Sequence, residues 1–265
     1  MQKKSAFISE ICGRMTIDKV KQMMNSKSKG VLDKKYAIER LQKPELKFRY
    51  KVRAAFVKNA VKKYLKKTYG LHVLDFGAAE GLTMLEMDRL LPESAFTGIE
   101  YSEELINQAP SLPENIKLVR GDVTNIENRE INNNYDVVSA LALLEHLKEP
   151  GLAVKQAYNC LKPGGLFIAS SPSPFWDHVS TKLGLLRDEQ HEMEMNKKLL
   201  KEMALDAGLQ LVSFKRFMWS PVSFLPYLKI KVSPSFSLII DNMVSKLFIF
   251  NWLFVNQAII ARKPV

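Results

Sequence analysis

Cysteine is nearly missing from this chain, with only Cys12 and Cys160 among 265 residues. No Cys-x-x-Cys pair occurs, and the four histidines, His72, His146, His178 and His191, are scattered. This excludes a disulfide scaffold, gives no metal-ligand spacing, and implies a reducing compartment, here read as the cytoplasm. Long apolar runs are lacking too. Residues 247–255 are the most apolar stretch, but Asp241, Asn242, Lys246, Asn256 and Gln257 bracket it too closely for the ~20 apolar residues of a membrane span. The first fourteen residues carry Lys3 and Lys4 but no continuous apolar core, so no secretion signal is expected. Repeats and low-complexity tracts are also missing. What remains is 46% hydrophobic and 25% charged, an ordinary globular composition for one large α/β domain with extensions.

Acidic residues are scarce in one region only. Residues 1–70 hold 20 Lys/Arg against 5 Asp/Glu, whereas residues 71–265 hold 19 against 23. The net charge of +11 therefore originates before the first strand. Residues 15–70 read as largely helical, broken at Pro44. Within 47–67, Val52, Phe56, Val57, Val61, Tyr64 and Leu65 supply an apolar side, and Lys51, Lys58, Lys62, Lys63, Lys66 and Lys67 a basic one. A solvated face, a nucleic-acid contact and an anionic lipid surface are all compatible with such a side.

From residue 71 onward strand-like and helix-like segments alternate, the pattern of a parallel sheet covered by helices. Strands are expected at Leu71–Phe76, Ala95–Glu100, Ile116–Arg120, Tyr135–Ala140, Gly165–Ser170, Leu209–Phe217 and Asn256–Arg262. Helices are expected at Leu82–Leu91, Ser102–Gln108, Leu152–Leu161 and Lys197–Ala207. The division is a basic helical extension over 1–70 and an α/β domain over 71–265, with an apolar insertion over 220–255. In that insertion Phe236, Ile239, Ile240, Met243, Val244 and Leu247 recur at helical spacing. They predict an amphipathic helix whose apolar face packs on the domain, with lipid contact as the alternative.

The segment Val73-Leu74-Asp75-Phe76-Gly77-Ala78-Ala79-Glu80-Gly81 reads as a strand, a small-residue turn and the start of a helix. This is where an α/β sheet binds a nucleotide-like ligand: Gly77 can adopt positive φ, and Gly81 lets backbone and ligand approach. Nineteen residues past Gly81 stands Glu100, in Thr97-Gly98-Ile99-Glu100-Tyr101-Ser102, about the distance expected of an acid that accepts two ribose hydroxyls. Gly121-Asp122-Val123 follows the third strand, Tyr135-Asp136-Val137-Val138-Ser139-Ala140 forms the fourth, and Leu161-Lys162-Pro163-Gly164-Gly165 precedes the fifth.

In order and spacing these motifs resemble those of the class I S-adenosylmethionine-dependent methyltransferases, small-molecule type, over about 70–217. The resemblance implies a Rossmann-like, seven-stranded, mostly parallel sheet with helices on both faces. It implies S-adenosylmethionine as cofactor, with Asp75, Gly77, Ala79, Gly81, Glu100, Tyr101, Asp122, Val123 and Ala140 as its candidate contacts. Ala79 departs from the family pattern, which has glycine there. An alanine is tolerated if its φ is negative, with its methyl then facing the methionine part of the cofactor.

Methyl transfer needs an aligned nucleophile and, for a hydroxyl or an acidic carbon, a base. His146, in Leu143-Leu144-Glu145-His146-Leu147, is the first candidate, since the resemblance places such Glu-His pairs near the substrate. His191, in the connection where relatives build their substrate pocket, is the second. His178 sits beside aromatics and an acid. Ser139-Ala140-Leu141-Ala142 has neither the Asn/Asp-Pro-Pro-aromatic run nor the Pro-Cys pair of base-modifying relatives. The expected acceptor is therefore a small hydrophobic or lipid-linked molecule methylated on oxygen or carbon. Peripheral contact with an anionic membrane, at its inner face, accompanies that reading. An RNA-modifying enzyme that uses the basic region and a non-catalytic cofactor-binding protein are the alternatives.

Overall fold

The computed structural model describes residues 34–126, 131, 134–182 and 191–265. Seven strands form one sheet: β1 (His72–Phe76), β2 (Ala95–Glu100), β3 (Ile116–Arg120), β4 (Tyr135–Leu141), β5 (Leu161–Pro172), β6 (Gln210–Trp219) and β7 (Phe254–Arg262). Their order is β3-β2-β1-β4-β5-β7-β6. β1 to β5 pair in parallel, and β7 lies antiparallel between β5 and β6. The strand order reverses between β1 and β4, so their carboxyl ends flank the crevice in which such sheets bind ligands. The expected seven-stranded, mostly parallel fold is what forms.

The central strands feed two cores by alternation. Val73, Val137 and Ile260 join Phe48, Val52, Met84 and Phe217 on one face, and their neighbours Leu74, Val138 and Ile259 join Ala153, Val154 and Leu200 on the other. The helix Pro44–Tyr64 belongs to the first face and buries Phe48, Val52, Val57 and Val61 there. Pro44 occupies its first turn, which explains why the preceding helix, Lys34–Gln42, stops just before it. The basic region expected of residues 1–70 thus contributes, from 44 on, to the main core; residues 1–33 lie outside the described residues.

The other boundaries follow local chemistry. Ser102 caps the helix Glu103–Ile106 by accepting the Leu105 amide at 3.3 Å, and this helix stops short of Gln108. β5 begins at Leu161, four residues before the expected start, because the chain end covers the Lys162–Gly165 turn. Gly164 donates to the Lys263 carbonyl, and the Lys263 amide to that of Gly165.

The insertion corrects an expectation. Its helix, Pro234–Val244, buries Ser237, Leu238 and Asp241, while Phe236, Ile239, Met243 and Leu247 face outward. The cause is Asp241, whose carboxylate accepts the amides of Met218 and Trp219, each at 2.8 Å, and so turns the polar side of the helix toward β6. Those hydrogen bonds satisfy two strand-end amides, Met218 being at φ 61°. Periodicity located the helix and misplaced its inner face.

Candidate active site

A cavity of about 390 Å³ opens at the carboxyl ends of β1, β2 and β4. Asp75, Gly77, Ala79, Glu100, Tyr101, Asp122 and Val123 line one half. Gly77, at φ 68°, donates to the Ile99 carbonyl at 2.9 Å; a Cβ there would lie 2.7 Å from Leu143 Cδ1, which reserves the position for glycine. Glu100 holds the loop to β2: its Oε2 accepts the Ala79 amide at 2.9 Å and its Oε1 the Ser102 amide at 2.8 Å. Burial raises the Glu100 pKa, and these amides pull it back. Asp75 lies beneath, 3% exposed, accepting a hydrogen bond from Ser139 Oγ at 2.6 Å. Burial pushes its carboxyl up to about 7, against the Ser139 hydrogen bond. Asp122 folds its own turn, its Oδ1 accepting the Thr124 amide and hydroxyl at 2.8 and 2.7 Å.

Two predicted contacts stand off the cavity wall. Gly81, at φ 83°, caps the helix Leu82–Leu90 and lies against Leu112 and Leu118. Ala140 is fully buried, paired with Phe76 and Ala169, on the face of β4 that points into the second core. Ala79 is a further correction. Its φ is +50°, and its methyl group packs with Ala37 and Leu105.

The other half of the cavity is assembled from distant segments: Leu143, Glu145 and His146 after β4, Trp176 and Asp177 from the helix Pro174–Lys182, Val255 and Asn256 from β7. His146 and His191 meet edge-on with ring centroids 4.9 Å apart, and His191 Nδ1 lies 2.7 Å from Asp177 Oδ1. The chain therefore brings His146 to the cavity and His191 directly behind it, while His178 is exposed. Burial, with His191 and Arg53 nearby, lowers the His146 pKa to about 4, so the ring is neutral at physiological pH. Among the described residues its buried Nδ1 has no hydrogen-bond partner. Donor atoms of Glu145, His146 and His191 lie within 4.8 Å of one another, a set compatible with a cation that no sequence spacing announced.

The amino-terminal helices close this half with Tyr36, Arg40, Arg49 and Arg53, none of them among the predicted site residues. Arg40 clamps the glycine loop: its guanidinium lies 3.1 and 3.3 Å from the Glu80 carboxylate and 3.2 Å from Thr83 Oγ1. Arg49 donates to Tyr227 Oη at 2.9 Å. Arg53 is so desolvated that its pKa falls, and among the described residues its Nε has no hydrogen-bond partner. A signal did exist. Arg49 and Arg53 are the two arginines among five lysines in the helix Pro44–Tyr64, four residues apart, and arginine is the cation suited to burial and directed hydrogen bonds.

The first half of the cavity fits S-adenosylmethionine on its own chemistry. Two buried carboxylates, Asp75 and Glu100, face it, and the backbone of the loop can approach because no Cβ stands at Gly77. Comparisons with known proteins agree. The methyltransferase domain family model matches residues 47–214, beginning inside the basic region. A ubiquinone biosynthesis O-methyltransferase of Nitrobacter winogradskyi is 29% identical over 45% of this chain and 45% of its own. A malonyl-[acyl-carrier protein] O-methyltransferase of Halalkalibacterium halodurans is 27% identical over 42% and 44%. The chain thus spans somewhat less than half the length of these relatives. Among solved structures, a SAM-dependent methyltransferase from Archaeoglobus fulgidus superimposes with a TM-score of 0.56 at 20% identity, over 87% of this chain and 100% of that one, a likeness of fold. Fold, loop chemistry and family match converge, and the chain belongs to the methyltransferase domain family, of the class I S-adenosylmethionine-dependent type.

Proposed function

We propose that this protein transfers a methyl group from S-adenosylmethionine to an oxygen or carbon nucleophile of a small, hydrophobic or lipid-linked acceptor. The observation that carries the reading is the second half of the cavity, where a neutral, half-buried His146 stands among Leu143, Trp176 and Val255 with the Asp177–His191 pair behind it. The cofactor, when bound, supplies a methyl group already activated on a sulfonium. Asp75, Glu100 and the Gly77 backbone would hold it.

The remaining work falls to this chain's own groups. Apolar walls exclude water and hold the acceptor's carbon skeleton. His146 accepts the proton that the acceptor hydroxyl or acidic carbon gives up, and of the pair behind it the Asp177 carboxylate favours the resulting imidazolium. Arg53 supplies positive charge opposite the oxygen as it loses its proton. The names of the relatives, O-methyltransferases of ubiquinone biosynthesis and of malonyl-acyl carrier protein, support oxygen as the atom methylated.

The test uses methyl-labelled S-adenosylmethionine with lipid extract, a panel of phenols and carboxylic acids, and RNA. Label is expected in an apolar acceptor. His146→Gln should lower kcat by about 10²–10⁴-fold with cofactor affinity unchanged. Label confined to RNA, or full activity of His146→Gln, would overturn the reading.

A further inference from the structure

Beside the cavity's second half lies an unusually apolar surface, which touches the cavity-lining Trp176 and Arg49. Between residues 224 and 252, Leu228, Ile239, Met243, Phe248, Ile249 and Trp252 are each 54–81% exposed. The segment's exposed ionic groups are Lys229, Lys231 and Lys246; its single acid, Asp241, is buried against the Met218 and Trp219 amides. Elsewhere after residue 70 acids outnumber bases, so a patch with lysines alone is a local departure.

From the structure we infer that residues 224–252 dock on an anionic lipid bilayer, lying on it rather than spanning it. Among the described residues no helix is long and apolar enough to cross a membrane. The face has what an interfacial contact needs: aliphatic and aromatic side chains to enter the acyl boundary, and flanking lysines to meet anionic headgroups. A second copy of the chain is the weaker occupant. A two-fold contact sets the same patch against itself, and this one would oppose lysines with no exposed acid to pair them.

Docking also orients the site. Trp176 lines the cavity and stacks edge-on against Phe224 at 5.3 Å; Phe175 joins Trp176 to Trp252 at 5.5 and 5.4 Å. Tyr227, 5.7 Å from Phe224, receives the hydrogen bond of cavity-lining Arg49. An unbroken aromatic path thus leads from the patch to the acceptor half. An amphipathic acceptor enters along it from the bilayer, a step that rests on the proposed function, whereas docking itself does not.

Cosedimentation of the full chain with vesicles of phosphatidylcholine, with and without one quarter phosphatidylglycerol, tests this. Wild type should pellet with the anionic vesicles and weaken as salt rises. Lys229→Glu/Lys231→Glu/Lys246→Glu should lose more than about fivefold per lysine of the preference for anionic vesicles. Ile239→Ser/Phe248→Ser/Ile249→Ser should abolish pelleting while its melting temperature and cofactor affinity stay at wild-type values, since these side chains are exposed. Wild-type chain left in the supernatant, or a serine variant that still pellets, overturns the inference. So does a wild-type dimer that the serine variant makes monomeric while neither form pellets. Methylation of a water-soluble acceptor without vesicle binding would refute docking and spare the proposed function; vesicle binding without methylation of any apolar acceptor would do the reverse.

Discussion

The two halves of the cavity are built by opposite means. The cofactor half comes from the ends of three adjacent strands, where each residue is placed by its own strand and turn: Asp75 on β1, Glu100 on β2, Asp122 after β3. The acceptor half comes from segments with no such common frame: Arg53, His146, Trp176, His191 and Asn256. The first is a property of the sheet, and the second of tertiary packing. Variation in the second leaves the first intact, and this is how one fold serves many acceptors.

The sharpest way to break this division is Arg40, which belongs to both halves. It lines the cavity from the amino-terminal side and pairs with Glu80, whose side chain is fully buried in the cofactor loop. Arg40→Ala strands that carboxylate, and should cost about 3–5 kcal/mol in chemical denaturation. Adding Glu80→Gln should recover part of the loss; full additivity would show that the two residues do not act as a pair.

Next in size is Glu100→Ala, which removes a charged acceptor from two loop amides and from the ribose hydroxyls assigned to it. Calorimetry should show S-adenosylmethionine binding weaker by about 1.5–3 kcal/mol per charged hydrogen bond lost to the ligand. Unchanged affinity would remove Glu100 from the cofactor half. The companion change in the other half, His146→Gln, should leave cofactor affinity alone.

The halves should also separate by pH. The Asp75 carboxyl titrates at about 7, raised by burial, and a cationic ligand favours its ionised form. Binding below pH 7 must therefore expel a proton, so affinity should fall up to tenfold for each pH unit below 7 and level off above it. Asp75→Asn should flatten the profile. His146, lowered to about 4, stays neutral throughout this range and should add no limb between pH 5 and 8.

How much was legible in the chain follows the same division. β2 and β3 lie at the expected residues, and the loop acids reach the cavity, because alternation, turn glycines and strand-end acids are local signals. Arg40, Arg49 and Arg53 were hidden in a basic region, since helical periodicity marks an apolar side but not what the other side meets. The helix Pro234–Val244 shows the limit most clearly. Its apolar periodicity was strong, yet one carboxylate seeking two strand-end amides decided which side was buried. The early start of β5 likewise depended on the chain end near Lys263.

The smallest expected effect belongs to Ala79, where the loop departs from its family's glycine. At φ +50° an alanine costs roughly 1 kcal/mol or more relative to glycine. Against this, its methyl group packs with Ala37 and Leu105, worth about 0.8 kcal/mol, and alanine lowers the entropy of the unfolded chain by a further ~0.4–1 kcal/mol. These terms nearly cancel, so Ala79→Gly should change stability by less than about 1 kcal/mol and leave the amide-to-Glu100 hydrogen bond in place. Ala79→Val meets the same backbone with a branched side chain and should be clearly destabilising. Equal stability of the glycine and valine variants would mean that this residue does not hold the left-handed conformation. It would also return the loop to the negative-φ geometry first expected of it, with the methyl facing the cofactor.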